Sequence, residues 1–296
     1  MNIVISGTSG FLGSNLIPYL AQSVSIIRLE RNGDFVNMIA NAQVVINLAG
    51  LAHDTENVTD VGAYYQVNTE YSNRLFDAFL TSDAEVFITI SSVKAVADVA
   101  HEILTEEYSP NPQTHYGKSK LMAEYYIKSK QIPPGKRVYI LRPCMIHGPG
   151  NKGNLNLVYQ VIKRGFPWPL AVFSNKRSYC SVENICFVMK ELIERKDIKS
   201  GTYHIADDDA LDTNQVIQLI GESLNQKVYS IPIPKRFITF IARLGDFLNL
   251  PLNSERLNKL TENYLVSNQK LKNALGKELP IQAREGLLAT LASFKS

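Results

Sequence analysis

The chain has 296 residues, 45% of them hydrophobic and 20% charged, with a formal net charge of +3. That length suffices for a large α/β unit plus a smaller lobe with a full core. The charge is too small to recruit nucleic acid, and no apolar stretch is long enough to span a bilayer, so neither nucleic acid nor a membrane is an expected partner.

Residues 2–6 form a short β-branched run that reads as a strand, and it ends at Gly7. Apolar residues then recur at helical spacing over 11–21, and a second strand is expected over 24–29. Residues 30–43 are too few for both a further strand and a helix, although Asn32-Gly33 reads as a tight turn. The continuous apolar run 44–50 has the pattern of a strand covered on both faces. A long amphipathic helix is expected over 61–79, a buried strand over 85–90 ending at Ser91-Ser92, a helix over 116–129 and a strand over 137–142. This alternation predicts a doubly wound, mostly parallel sheet over 1–150.

Past residue 150 the alternation breaks down. Helices are expected over 182–194, 214–224 and 236–248, with short strands between them. Residues 151–296 are accordingly expected to form mainly a smaller C-terminal lobe, with some segments returning to the sheet. Cys144, Cys180 and Cys186 are an odd count without a CxxC pair, which sets aside a disulfide framework or zinc site. The N-terminus lacks a leader pattern, so a cytoplasmic location is expected.

Two motifs carry chemistry. In Gly7-Thr8-Ser9-Gly10-Phe11-Leu12-Gly13, glycines between a strand and a helix leave backbone N–H groups and the helix dipole facing a pyrophosphate. In Tyr116-Gly117-Lys118-Ser119-Lys120, a phenol and an ammonium stand four residues apart on one helix face. A free tyrosine, with a pKa near ~10, is a poor base at neutral pH; the Lys120 charge favours its phenolate. Ser91 and Ser92 end a buried strand, where ligand crevices of open parallel sheets lie.

These segments, with Asn47-Leu48-Ala49-Gly50, Asn68, Leu141-Arg142-Pro143, His147-Gly148-Pro149-Gly150 and Arg177-Ser178-Tyr179, resemble the extended short-chain dehydrogenase/reductases. More narrowly, they resemble the nucleotide-sugar epimerases, dehydratases and 4-ketoreductases. The resemblance implies a Rossmann-type domain with a substrate lobe, and a cofactor, NAD or NADP, held by Gly7, Ser9, Gly10, Phe11, Leu12, Gly13, Leu48, Ala49, Gly50, Asn68, Tyr116, Lys120, Pro143 and Ile146. It implies Tyr116 and Lys120 as the catalytic pair, Ser92 as their hydroxyl partner with Ser91 as the near alternative, and Arg177 as a clamp on a substrate diphosphate. His53, Asn154 and Arg256 are further substrate candidates. At the adenosine end Asp34 and Phe35 are candidate adenine contacts, and one strand is expected to be shortened or missing. Glu30 suits the 2′-hydroxyl of NAD and Arg31 the 2′-phosphate of NADP, which leaves both cofactors open. His147 departs from the family's usual tyrosine, and Trp168 reads as packing more than as a nucleobase platform. The implied reaction is inversion at C4 of a UDP-hexose. A reductase of a nucleotide-linked 4-keto-6-deoxy sugar is the alternative, and a non-catalytic NAD(P)-binding protein the rival from another class. The helices over 61–79 and 116–129 are candidates for pairing two copies into a homodimer.

Overall fold

Six short strands rich in valine and isoleucine send successive side chains to opposite faces of one sheet, and two apolar cores follow from that alternation. The computed structural model describes residues 1–21, 24–30, 33–51, 60–151, 153–248 and 253–295. In chain order it has β1 (Asn2–Ser6), α1 (Phe11–Leu20), β2 (Ser25–Leu29), α2 (Phe35–Ile39) and β3 (Val44–Asn47). Next come α3 (Val61–Tyr64), a π-helical stretch (Tyr65–Glu70), α4 (Tyr71–Thr81), β4 (Val86–Ile90), a 3₁₀ turn (Val93–Ala95), α5 (His115–Ser129) and β5 (Arg137–Pro143). The remainder comprises β6 (Met145–His147), α6 (Asn154–Lys163), β7 (Lys176–Arg177), β8 (Tyr179–Ser181), α7 (Val182–Glu194), β9 (Gly201–Ile205) and β10 (Leu211–Asp212). It closes with α8 (Thr213–Leu224), α9 (Lys235–Leu248), α10 (Ser254–Thr261), α11 (Gln269–Leu275) and α12 (Ala283–Ser293).

The main sheet is parallel throughout, in the order β2-β1-β3-β4-β5-β9. Ile3, Ile5, Val44, Ile46, Val86, Ile88, Tyr139 and Leu141 fill the core under α1 and α7. Their neighbours Val4, Val45, Phe87, Val138 and Ile140 fill the opposite core with Leu75, Phe76 and Phe79 of α4. After β1 the chain crosses to β2 on one side and then returns to β3 on the other. That reversal opens a crevice beyond the C-terminal ends of β1 and β3, where doubly wound folds bind ligands. Only the short α2 lies between β2 and β3 among the described residues, so β2 is an edge strand, as the short connection predicts.

A third core is built from α6, α8, α9, α10 and α12, including Tyr159, Trp168, Ile217, Ile238, Leu257 and Leu291. Residues 180–206 and 264–279 return instead to the sheet's first core. The helix expected over 61–79 forms as a continuous helical segment, but its middle turn is π rather than α.

Candidate active site

At the end of β1, Gly7 adopts φ +70°, a region where a side chain is strained. A Cβ on Gly7 would also lie 2.7 Å from the Ala49 nitrogen, and one on Gly13 would lie 2.5 Å from the Gly7 carbonyl. These two glycines let the turn, the end of β3 and α1 close on one another. Gly10 differs, because a Cβ there would meet only the Gly7 oxygen, at 3.3 Å. Gly10 caps α1 without a side-chain hydrogen bond, and the first turn carries no acid. The turn therefore offers α1's first N–H groups to an anion, which fits a cofactor pyrophosphate. Ser9 is exposed beside it, whereas the Leu12 side chain belongs to the core, leaving its backbone for contact. The ends of β1 and β3 are fixed by polar bonds: Ser6 Oγ donates to Asn47 Oδ1 at 2.7 Å and accepts from the Ala49 N–H at 3.2 Å.

Lys120, one turn along α5 from Tyr116, is 7% exposed, and its Nζ donates to the Ile90 carbonyl at 2.9 Å. Burial pulls its pKa down to about 8, with Glu124 opposing the shift. Gly50 makes room for this ammonium, since a Cβ there would stand 2.7 Å from Nζ and 3.2 Å from Asn68 Oδ1. Asn68 is buried in the π-helical turn, where its amide brackets Leu51, accepting from that residue's N–H at 2.9 Å and donating to its carbonyl at 3.2 Å. The same amide donates to Ser119 Oγ at 3.0 Å, which ties β3, the π turn and α5 together around Lys120.

Tyr116 is half-buried at the start of α5, edge-on to Tyr64 with ring centroids 6.2 Å apart. Its position depends on Gly117. A Cβ on Gly117 would come within 2.4 Å of the Lys94 carbonyl and 2.8 Å of Pro112, so only glycine lets α5 press against the turn that follows Ser92. Thr114 caps the helix by accepting from the Gly117 N–H, and Asp98 fixes Thr114 through its hydroxyl at 3.0 Å and its N–H at 3.2 Å. Asp98 has no motif around it, and no local signal in the sequence singles it out.

The two serines separate by direction. Ser92 Oγ accepts the Lys94 N–H at 3.1 Å at the strand end. Ser91 turns into the protein and donates to Glu124 Oε1 at 2.5 Å, which corrects the expectation of Ser91 as a stand-in catalytic hydroxyl. Glu124 holds Arg142 through both carboxylate oxygens, at 2.8 and 2.5 Å, with both side chains at most 2% exposed. Burial works to raise the Glu124 pKa, but the hydrogen bonds and charge of Arg142, aided by Ser91, hold it below the usual value. Removing one partner of such a pair leaves a buried charge uncompensated. The signal for this pair was present in the sequence: an arginine inside a strand buried on both faces demands a carboxylate, and Glu124 lies four residues beyond Lys120.

Pro143 ends β5, buried, and Ile146 lies half-buried in β6 against the first core. The adenosine-side expectation needs correction. Phe35 is 5% exposed and packs edge-on against Tyr71, with Arg74 over its ring, so it is a core residue and not an adenine contact. Asp34 is spent as the N-cap of α2, accepting from the N–H groups of Val36 and Asn37 and from the Asn37 amide. Glu30 remains exposed just past β2; Arg31 and His53 lie outside the described residues. Asn154 opens α6, Arg177 lies in β7 paired with β10, and Arg256 is exposed on α10. Trp168 is 5% exposed with its indole N–H on Asn214 Oδ1, hence packing and not a nucleobase platform. His147 is a buried strut: its ring nitrogens lie 3.0 Å from Thr290 Oγ1 and 3.2 Å from Asp207 Oδ2. Asp207 in turn accepts from the Ser181 N–H and the Asn184 amide. Among the described residues no group of three metal-ligating side chains is found.

Residues 3–206 match the family model described as NAD dependent epimerase/dehydratase family. The UDP-glucose 4-epimerase of Vibrio cholerae is 24% identical over 99% of this chain and 95% of its own length. The N-acetyl-alpha-D-glucosaminyl-diphospho-ditrans,octacis-undecaprenol 4-epimerase of Escherichia coli O157:H7 is 26% identical over 92% and 84%. Among solved structures, MoeE5 in complex with UDP-glucuronic acid and NAD superposes with a TM-score of 0.77 at 18% identity, covering 100% of this chain and 99% of that one.

Proposed function

Because the chain belongs to the NAD dependent epimerase/dehydratase family, we infer that it inverts C4 of a UDP-linked hexose, with NAD(P) supplying hydride transfer when bound. The observation that carries this reading is the buried Lys120 ammonium, held between the Ile90 carbonyl, Gly50 and Asn68 one helical turn from Tyr116. A fixed cation there favours the Tyr116 phenolate, which takes the proton of the C4 hydroxyl and later returns it. Ser92 holds the C4 oxygen beside the phenol, and Arg177 receives the diphosphate, a task suited to its planar fork of donors. The Gly7–Gly13 turn and residues 48–50 hold the cofactor phosphates, and Lys120 its nicotinamide ribose. The third core, with α6, α8 and α10, is the substrate lobe. Dehydration of the sugar is disfavoured, because Ser92 is followed by the buried Val93 and by Lys94 and not by an acid pair.

The enzyme is further proposed to work in the cytoplasm, in surface-polysaccharide assembly, as a homodimer paired through α4 and α5, where Met122 and Tyr125 are 51% and 53% exposed. The decisive test follows the hydride. Purified protein given UDP-glucose or UDP-N-acetylglucosamine should invert C4 with no net change in reduced-nicotinamide absorbance. Stoichiometric NADPH loss with a 4-keto-6-deoxy sugar, and no inversion of either UDP-hexose, would make the chain a reductase instead. Cofactor binding without either reaction would make it a non-catalytic binding protein.

A further inference from the structure

Helix α9 presents more apolar surface than its packing uses. Its residues advance about 100° each around the axis, and Ile238, Ala242 and Gly245 form the stripe buried in the third core. Beside that stripe Phe237, Phe240, Leu244 and Phe247 follow one another at helical spacing, 56%, 64%, 44% and 83% exposed. Leu248, exposed at the helix end, lies on the same side of the axis and extends the strip. A contiguous exposed strip with three phenylalanines marks an interaction surface, not scattered surface hydrophobicity.

The charges beside the strip indicate what covers it. Arg236 and Arg243, one on each side of Phe240 in sequence, share the helical edge that borders the phenylalanines. Lys235, on the other side of the helix, is turned to the Phe173 ring of the third core instead. The acid of α9, Asp246, has its carboxylate on the N–H and hydroxyl of Ser254. A second copy seated here would set one cationic border against another, which like charges disfavour. Phenylalanine and leucine on one face with arginine alongside is the pattern of a helix lying in a lipid headgroup layer.

We propose that α9 docks this protein on an anionic bilayer surface, with Phe237, Phe240, Leu244 and Phe247 entering the acyl boundary and Arg236 and Arg243 meeting lipid phosphates. At 14 residues α9 is too short to cross a bilayer, and among the described residues no helix is long and apolar enough to do so. The sequence-based expectation of no membrane partner rested on that lack of a span, and an interfacial helix needs none.

The test is co-sedimentation of the full-length protein with vesicles of phosphatidylcholine alone and of phosphatidylcholine mixed with phosphatidylglycerol. Binding should favour the anionic vesicles and weaken with salt. Phe240→Ser with Phe247→Ser should reduce partitioning more than about tenfold, and Arg236→Gln or Arg243→Gln about fivefold each. Far-UV circular dichroism and the melting temperature of each variant should match the parent, since these side chains are exposed. No sedimentation with either vesicle, or sedimentation that ignores these substitutions, overturns the proposal. So does a self-associated species in sedimentation velocity that the double phenylalanine variant dissolves, because a second copy then covers the strip. Sugar inversion measured in parallel without vesicles reports on the active site alone, so either idea can fail without the other.

Discussion

Replacing Lys120 with Met keeps a long unbranched stem and removes a charge from the interior. Burial brings the Lys120 pKa from 10.5 to about 8. At 1.36 kcal/mol per unit, the ammonium costs the folded chain about 3 kcal/mol at neutral pH. The hydrogen bond from Nζ to the Ile90 carbonyl, 2.9 Å long, offsets about 1 kcal/mol of that loss. Lys120→Met should therefore be about 1–2 kcal/mol more stable than the parent near neutrality, while losing turnover and cofactor affinity. The folded chain releases this proton near pH 8 and the unfolded chain holds it to about 10.5. Between those values the unfolded chain binds more protons, so the parent's unfolding free energy climbs with pH. The variant lacks that contribution, and its advantage should shrink by about 3 kcal/mol across the window and turn into a deficit. Urea unfolding of both proteins from neutral pH to pH 10.5 measures the gap directly, because other titrating groups cancel in the difference. A gap that stays constant would refute the reasoning, since Lys120 would then carry its proton unperturbed by burial.

Tyr116→Phe should abolish C4 inversion while titration calorimetry finds cofactor binding nearly unchanged; activity within tenfold of the parent would remove Tyr116 from the chemistry. Gly117→Ala should lower the melting temperature and turnover together, because the added carbon meets the Lys94 carbonyl at 2.4 Å and backbone cannot yield as a flexible side chain does. Overpacking of this kind costs about 1–3 kcal/mol, which thermal unfolding resolves. Arg177→Ala should raise KM for the nucleotide sugar at least about tenfold and leave cofactor binding alone; an unchanged KM would make Arg177 structural.

Much of the sheet was legible because a buried parallel strand is a local pattern. The run Asn2–Ser6 ends at a glycine and forms β1 with those bounds. The glycine turn was legible for the same reason, as its steric demands involve immediate neighbours. What escaped was chemistry set by partners distant in sequence. Ser91 and Ser92 look alike in the chain, and only Glu124, 33 residues away, decides which one turns inward. Asp34-Phe35 read as ligand contacts because the turn after β2 is a usual place for them, yet Tyr71 and the need to cap α2 claim both residues. His147 departed from its family's tyrosine without explanation until Thr290, 143 residues on, and Asp207 supplied its partners. The apolar stripe of α9 was visible as periodicity, but which part of it stays uncovered depends on the third core.

The π turn between α3 and α4 gives this protein a spare residue. A π turn closes a hydrogen-bonded ring one residue longer than an α turn, so the helix is overfull where Asn68 and Thr69 are buried. The bulge brings both side chains to α5, Asn68 donating to Ser119 Oγ and Thr69 to the Ser119 carbonyl at 2.8 Å. Shortening the chain by one residue within this turn would let it relax into ordinary α-helix. The turns on either side would keep their facing, because a π turn absorbs the added residue without rotating the helix that flanks it. Tyr65, whose hydroxyl lies 3.0 Å from His115 Nδ1, would still face α5. Asn68 and Thr69 would withdraw from Ser119, and the tie between Leu51 and α5 beside Lys120 would go with them. The added residue therefore serves the site and leaves the helix that carries it in phase.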